Sequence, residues 1–401
     1  MQKLLAPNTS KLTISDIEKF YISGEKQENL TGLEYERLTF DKNTSKTASY
    51  ENVAKIIEQT AKILDWDLIF DKTTLIGAND KIGNSISLEP GMQLELSIAP
   101  KKNISDIKIC AEEISNLIDK IASVYDVELK GCGINPQKAL DIEILNKQRY
   151  KIMNNYLPNC NNALNCPDMM RRTAGIQINV DYKDKKDCFN KLKFFNLISP
   201  FMCALLANSK NEKYISERAY IWRHTGNSRC NFFYKEALKK MFFNYRNYIE
   251  QILDVPMVYI ERNNENIEIE GKITFKEFMK NGFMGYCAQY DDYILHQSLC
   301  FPDVRLKNYI EIRNHDSNSP EVAISLCAFY KGLCRCDFNE LNKKFSYLKL
   351  DEVDYYNEEI LVHGLDFKDG RKIVNSLIEI SRNALDTDEK NYLEPLYKLA
   401  T

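Results

Sequence analysis

The stretch Gln93-Leu94-Glu95-Leu96-Ser97-Ile98 decides the fold. Apolar and polar residues alternate strictly, and successive side chains of a strand point to opposite faces. Leu94, Leu96 and Ile98 therefore face one way, and Gln93, Glu95 and Ser97 the other. Three more segments repeat the pattern. In Leu33-Glu34-Tyr35-Glu36-Arg37, Glu34 and Glu36 share a face. In Ile176-Gln177-Ile178-Asn179-Val180-Asp181, the polar side is Gln177, Asn179 and Asp181. In Tyr309-Ile310-Glu311-Ile312-Arg313 it is Glu311 and Arg313. Such alternation predicts an antiparallel sheet with its apolar face packed on helices. The polar face has two readings. A solvated face accounts for the alternation but not for the dominance of Glu over Lys. Carboxylates on neighbouring strands repel unless a cation sits between them. Oxygen ligands such as Glu, Gln and Asn suit Mg²⁺ or Mn²⁺ rather than zinc. The second reading is a concave polar face that holds a divalent metal.

The segments between these strands read as helices. Ser49–Leu64 carries Val53, Ile56, Ile57, Thr60 and Leu64 on one stripe, behind a serine that suits a helix N-cap. Ser105–Tyr125 places Ile107, Ala111, Ile114, Leu117, Ile118 and Ile121 on its inner face. Phe189–Asn208, Tyr234–Leu253, Val322–Gly332 and Gly370–Leu385 are also read as helical, which makes the last third of the chain helical. The polar runs Lys183–Asp187 and Asn263–Asn266 read as loops too short to link two domains.

Composition narrows the function. Of 401 residues, 44% are hydrophobic and 28% charged, which excludes wholesale disorder. Lys and Arg number 54 against 57 Asp and Glu, a net charge of −3. That balance lacks the basic footprint of a dedicated nucleic-acid binder. No run of about 20 apolar residues offers a membrane span. The best, Phe194–Ala207, is interrupted by Asn196 and Pro200. Met1–Thr13 has no apolar core behind a basic flank, so no secretory signal is read and a cytoplasmic protein is expected. Twelve cysteines, none in a Cys-x-x-Cys spacing, fit reduced thiols rather than a zinc ribbon.

Other chemistries lack their motifs. There is no P-loop, and Gly131-Cys132-Gly133 is only a fragment of a dinucleotide fingerprint. His224, His296, His315 and His363 never pair at metal-ligand spacing. No Ser-His-Asp or Cys-His arrangement stands out.

Nine segments, in order, resemble the plant-type glutamate–cysteine ligases, a family also found in bacteria. They are Gly32–Glu36, Ser87–Pro100, Arg149–Pro158, Asp168–Thr173, Gln177–Asp181, Leu206–Ser209, Ile221-Trp222, Leu253–Met257 and Phe301–Arg313. The resemblance implies a glutamine-synthetase-like catalytic fold of α+β class: a curved antiparallel sheet with one polar concave face and helices on the other. It implies a single catalytic domain over residues 1–401. Residues from about 20 to 335 carry the likeness, and those from about 336 to 401 form a helical C-terminal extension. It also implies the reaction: ATP, L-glutamate and L-cysteine give γ-glutamylcysteine, ADP and phosphate, the first step of glutathione synthesis.

The residues suit that chemistry. A carboxylate is a poor electrophile, so ATP must first phosphorylate it, and positive charge must bring the two anions together. Glu34, Glu36, Glu95 and Glu311 are the expected metal ligands, for Mg²⁺ or alternatively Mn²⁺. By resemblance, Arg149 and Arg218 hold the glutamate substrate, where a planar guanidinium suits the α-carboxylate. Gln177 and Asn179 are expected as supporting ligands or substrate contacts. Arg172 and Arg313 are the expected catalytic cations for phosphate or acyl-phosphate charge. For Arg172 and Arg305 the alternative weighed is a surface ion pair, and for Glu89 before Pro90-Gly91 a turn former.

The chain departs from the family where the acceptor amine is received. After Trp222 the family shows Thr-Asp-Thr-Asp, and this chain has Arg223-His224-Thr225-Gly226. After Pro256-Met257 the family has Tyr, and here Val258 precedes Tyr259. Trp222, Val258 and Tyr259 are the expected acceptor pocket. An alternative is the same ligase chemistry with a different amine. The expected partners are ATP, L-glutamate and L-cysteine, with no nucleic acid or membrane, in a monomer or homodimer.

Overall fold

The computed structural model describes residues 11–160, 165–226, 228–240 and 243–401. The reading of Met1–Thr13 thus lies mostly outside the described residues. In chain order the strands are β1 (Thr31–Asp41), β2 (Asp67–Asp71), β3 (Thr74–Asn79), β4 (Ser85–Leu88), β5 (Leu94–Lys101), β6 (Val127–Lys130), β7 (Gly175–Val180), β8 (Tyr259–Arg262), β9 (Glu265–Glu268), β10 (Val304–Leu306) and β11 (Ile310–Asp316). One sheet runs β10-β11-β7-β1-β5-β4-β3-β2, with β6 paired to the far half of β1. Strands β8 and β9 form a separate hairpin. Every pair is antiparallel.

The four alternating segments are the adjacent strands β11, β7, β1 and β5. Their register aligns the polar side chains across the sheet. Glu34 faces Ser97 on one side and Gln177 on the other, Glu36 faces Glu95, and Glu311 faces Asn179. The opposite face carries Leu33, Tyr35, Leu94, Leu96, Ile98, Ile176, Ile178, Ile310 and Ile312, all buried. Each such side chain contributes roughly 1.5–3 kcal/mol by leaving water.

Helices cover that apolar face. Pro320–Cys334 crosses β1 and β7, Lys185–Leu205 packs on β11, and Ile104–Val124 packs on β5 and β6. Pro320–Cys334 is buried from Val322 to Cys334, because Gly370–Ala384 and Glu394–Ala400 cover its outer side. A Cβ on Gly332 would lie 2.2 Å from Ser381 Oγ and 2.5 Å from the Ser381 carbonyl oxygen. The missing side chain is what lets those two helices meet. Among the described residues no helix is long and apolar enough to cross a membrane.

The structure differs from the sequence reading at three places. Tyr234–Leu253 is not one helix but Lys235–Lys239 and Tyr245–Leu253, with Asn244 capping the second by accepting from Asn247 N. Residues 241–242 between them lie outside the described residues. Lys183–Asp187 is only half loop, because Asp184 caps a helix that starts at Lys185. Asn263–Asn266 is the turn of a hairpin whose second strand starts at Glu265.

Candidate active site

A cavity of about 270 Å³ opens on the polar face, near the small end of ordinary ligand sites. Its floor is Glu34, Glu36, Glu95, Gln177, Glu311 and Arg313. Glu89, Lys147, Arg149, Tyr150, Trp222, Ser298, Phe301, Arg305 and Lys307 stand around it. The alternation of β1, β5, β7 and β11 aims the floor residues upward. The helix Gln148–Tyr156 and the loop behind it bring Lys147 and Arg149 over the rim.

Glu36 Oε1 accepts from Gln177 Nε2 at 3.1 Å, and Glu95 Oε2 accepts from the same amide at 3.4 Å. Gln177 thus bridges two carboxylates through one amide. Its own oxygen accepts from Arg313 Nη1 at 2.8 Å. Glu36 Oε2 accepts from the Gly175 amide, and Glu34 Oε1 from Asn179 Nδ2 at 2.8 Å. Burial and the charge of Glu311 raise the Glu34 carboxyl. Burial and Glu89 raise Glu36 to about 7. Burial and Glu34 raise Glu95 well above the usual carboxylate range. Arg218 and Arg313 pull Glu36 down, and Lys307 and Arg313 pull Glu34 down, but they do not offset the burial.

Glu311 is the opposite case. Burial would raise it, but Arg305, Lys307 and Arg313 hold it well below the usual range. Arg305 grips it with Nε at 2.7 Å and Nη2 at 2.9 Å, Arg313 Nη1 donates at 2.9 Å, and Lys307 Nζ at 3.2 Å. Three cations on one carboxylate leave an excess of positive charge facing the cavity. Arg149 donates to Ser298 Oγ and to its carbonyl, both at 2.9 Å. Burial lowers the Lys147 ammonium.

The structure brings Glu34, Glu36, Glu95, Glu311, Gln177, Arg149, Arg313 and Trp222 to one cavity. Asn179 lines an adjoining hollow that shares Glu34 with it. Arg218 lines a recess of about 20 Å³ that shares Trp222, Phe301 and Arg313. Three further expected residues, Arg172, Val258 and Tyr259, line neither the cavity nor these two hollows. Arg172 is taken up by Asp168 at 2.6 Å and Glu217 at 3.0 Å, and its Nε donates to the Asn135 carbonyl. The Asp168–Arg172 spacing of four residues on one helix was the available sign of that pairing. Val258 and Tyr259 are buried at the start of the β8–β9 hairpin, where the Val258 carbonyl accepts from Ile269 N and Glu270 N.

Sequence reasoning missed Lys147 and Lys307, which line the cavity, and misjudged Arg305, which is buried against Glu311 rather than paired at the surface. Glu89 shapes its turn, accepting at its carbonyl from Met92 N, and also lines the cavity. The spacing Lys307–Glu311 across the tight β10–β11 hairpin was the one legible signal.

Among the described residues no three His, Cys, Asp or Glu side chains are gathered to hold one ion in common. The donor chemistry nonetheless fits a hard dication. Glu34, Glu36, Glu89 and Glu95 offer only oxygen, and a bound cation would offset the burial and the mutual repulsion that raise three of them. Mg²⁺ is commonly held by one or two carboxylates, with phosphate oxygens and water completing its shell.

The sequence model of a family described as glutamate-cysteine ligase family 2 matches residues 30–401. The likeness therefore continues past residue 335, where the sequence resemblance had stopped. Glutamate–cysteine ligase B, chloroplastic, of Oryza sativa subsp. japonica is 32% identical over 94% of this chain and 78% of its own length. The chloroplastic enzyme of Nicotiana tabacum is 29% identical over 94% and 74%. Those names point to a plastid and overturn the expectation of a cytoplasmic protein. Among solved structures, a glutamate–cysteine ligase of Francisella tularensis in complex with AMP aligns with a TM-score of 0.53 at 12% identity, over 94% of this chain and 82% of that one. A bifunctional glutathione synthetase of Pasteurella multocida aligns at 0.51 and 11%, over 96% and 49%. Both share the α+β fold.

Proposed function

The chain belongs to glutamate–cysteine ligase family 2, and on that premise we propose how its cavity joins the γ-carboxylate of L-glutamate to the amine of L-cysteine at the expense of ATP. The observation that carries the reading is the division of one cavity into an acidic end and a cationic end.

The first step sets the γ-carboxylate oxygen against the terminal phosphorus of ATP. A bond forms between that oxygen and phosphorus, the bridging bond to ADP breaks, and γ-glutamyl phosphate results. Arg305, Lys307 and Arg313 face this step as fixed positive charge, which in a site shielded from water is worth more than in solution. One or two carboxylates from among Glu34, Glu36, Glu89 and Glu95 would hold each Mg²⁺ or Mn²⁺. The metal, when bound, neutralises phosphate charge. Glu311 is taken up by Arg305, Lys307 and Arg313 and serves to hold those cations in place. Arg149 holds the glutamate end of the site, and Arg218 stands in the adjoining recess beside Trp222. Gln177 fixes the spacing of Glu36 and Glu95. In the second step the amine nitrogen attacks the acyl carbon, phosphate leaves, and the amine loses a proton.

Glutamate labelled with ¹⁸O in its γ-carboxylate tests this order. One labelled oxygen is expected in the released phosphate. Unlabelled phosphate would contradict an acyl-phosphate route. A second reading keeps these steps and changes the acceptor. It is favoured by Arg223, which reaches Asp303 at 3.3 Å in the recess beside Trp222.

A further inference from the structure

Asp316 ends β11 and is fully enclosed, yet it is not among the residues lining the cavity. Its Oδ2 accepts from Ser209 Oγ at 2.5 Å and from Asn208 N at 2.9 Å. Its Oδ1 accepts from Ser216 Oγ at 2.9 Å and stands 4.0 Å from Arg218 Nη1. Both serines tie it to one helix, Glu217–Arg223. Ser216 caps that helix by accepting from Ala219 N at 3.0 Å, and Ser209 Oγ accepts from Arg218 N at 3.1 Å.

That helix carries Arg218 and Trp222 four residues apart, so both lie on one face. The Arg218 guanidinium packs 5.9 Å from the Trp222 ring and donates to the Arg313 carbonyl at 3.0 Å. Arg313 belongs to the cationic end of the cavity. One buried carboxylate therefore sets the helix, the guanidinium and, through it, the backbone under Arg313.

Two glycines clear the space this needs. A Cβ on Gly133 would lie 2.7 Å from the carboxyl carbon of Asp316, and a Cβ on Gly175 2.4 Å from Arg218 Nη2. A buried carboxylate is costly unless its oxygens are satisfied and a cation is near. Here both oxygens are satisfied, and the nearby cation is Arg218, which donates to the carbonyl of the cavity residue Arg313.

We infer that Asp316 is a positioning residue for the ligase reaction, holding the Glu217–Arg223 helix so that Arg218 meets the glutamate substrate in one pose. The inference rests on the reading that Arg218 binds glutamate, and the test separates the two. Initial rates are measured for Arg218→Ala, Asp316→Asn, Gly133→Ala and the double variant Arg218→Ala/Asp316→Asn, varying glutamate and ATP separately. Gly133→Ala crowds the Asp316 carboxylate without replacing it, and it carries the test if Asp316→Asn does not fold.

Each single variant is expected to raise the glutamate KM by about tenfold or more, with the ATP KM unchanged. A merely structural role would lower active-enzyme yield and leave both constants alone. The double variant is expected to match Arg218→Ala alone, because both changes act through one guanidinium. An unchanged glutamate KM in Arg218→Ala would overturn the reading of Arg218, and the inference with it. A raised KM in Arg218→Ala alone, with Asp316→Asn and Gly133→Ala at the parent value, would overturn the inference and leave the reading of Arg218 standing.

Discussion

Glu95 and Glu311 sit on one polar sheet face and titrate in opposite directions. Glu95 is raised by burial and by neighbouring glutamates, whereas Glu311 is held down by Arg305, Lys307 and Arg313. A group raised in this way costs stability when ionised. Glu95→Gln is therefore expected to cut ligase activity by roughly a hundredfold or more, because a ligand for the dication is lost, while the unfolding midpoint does not fall. Activity near the parent level would show that Glu95 holds no metal. The same logic gives a pH dependence. The folded Glu36 titrates near 7 against an ordinary value of 4.5. Its contribution is present at low pH and lost as pH rises through about 7. The metal-free protein is thus expected to melt at a lower temperature at about pH 8 than at about pH 5.5, and saturating Mg²⁺ is expected to flatten that slope. Thermal denaturation with and without the metal reads both.

At the scale of elements, the sheet is legible and its supports are less so. Strict alternation identified β1, β5, β7 and β11, because a strand with one buried face writes its period of two directly into the chain. Strand β2 carries no such sign, since Leu68, Ile69 and Phe70 are all exposed at the sheet edge. The split of Tyr234–Leu253 was written in Asn244 and Asn247, which cap each other, but a continuous apolar pattern hid it. The acidic half of the site was legible because Glu34, Glu36 and Glu95 stand in strands. Lys147 precedes its helix, and its reach into the cavity depends on how distant segments pack. Gly332 is the contact on which Pro320–Cys334 and Gly370–Ala384 close. Gly332→Ala is expected to destabilise the protein by about 1–3 kcal/mol through overpacking, with KM for ATP and glutamate unchanged. Chemical denaturation and initial rates check the two halves. An unshifted midpoint would show that the helices yield without cost.

For the whole molecule, one continuous core under the sheet joins the C-terminal helices to the catalytic strands. The family match runs through those helices to residue 401. The sequence resemblance stopped near residue 335 because the later residues serve packing, where many apolar sequences satisfy the same contacts. The polar face is more constrained, since each carboxylate or guanidinium there has a separate electrostatic task. Departures at Arg223 and Val258 leave the floor of the cavity intact, since Arg223 lines the adjoining recess and Val258 is buried away from both. The most direct test of the account is ADP release by the purified protein with ATP, Mg²⁺ and glutamate, each amino acid being added in turn. The account predicts that cysteine stimulates release far above the others and that γ-glutamylcysteine forms in equal amount. Release that ignores glutamate, or that favours another amine over cysteine, would contradict it.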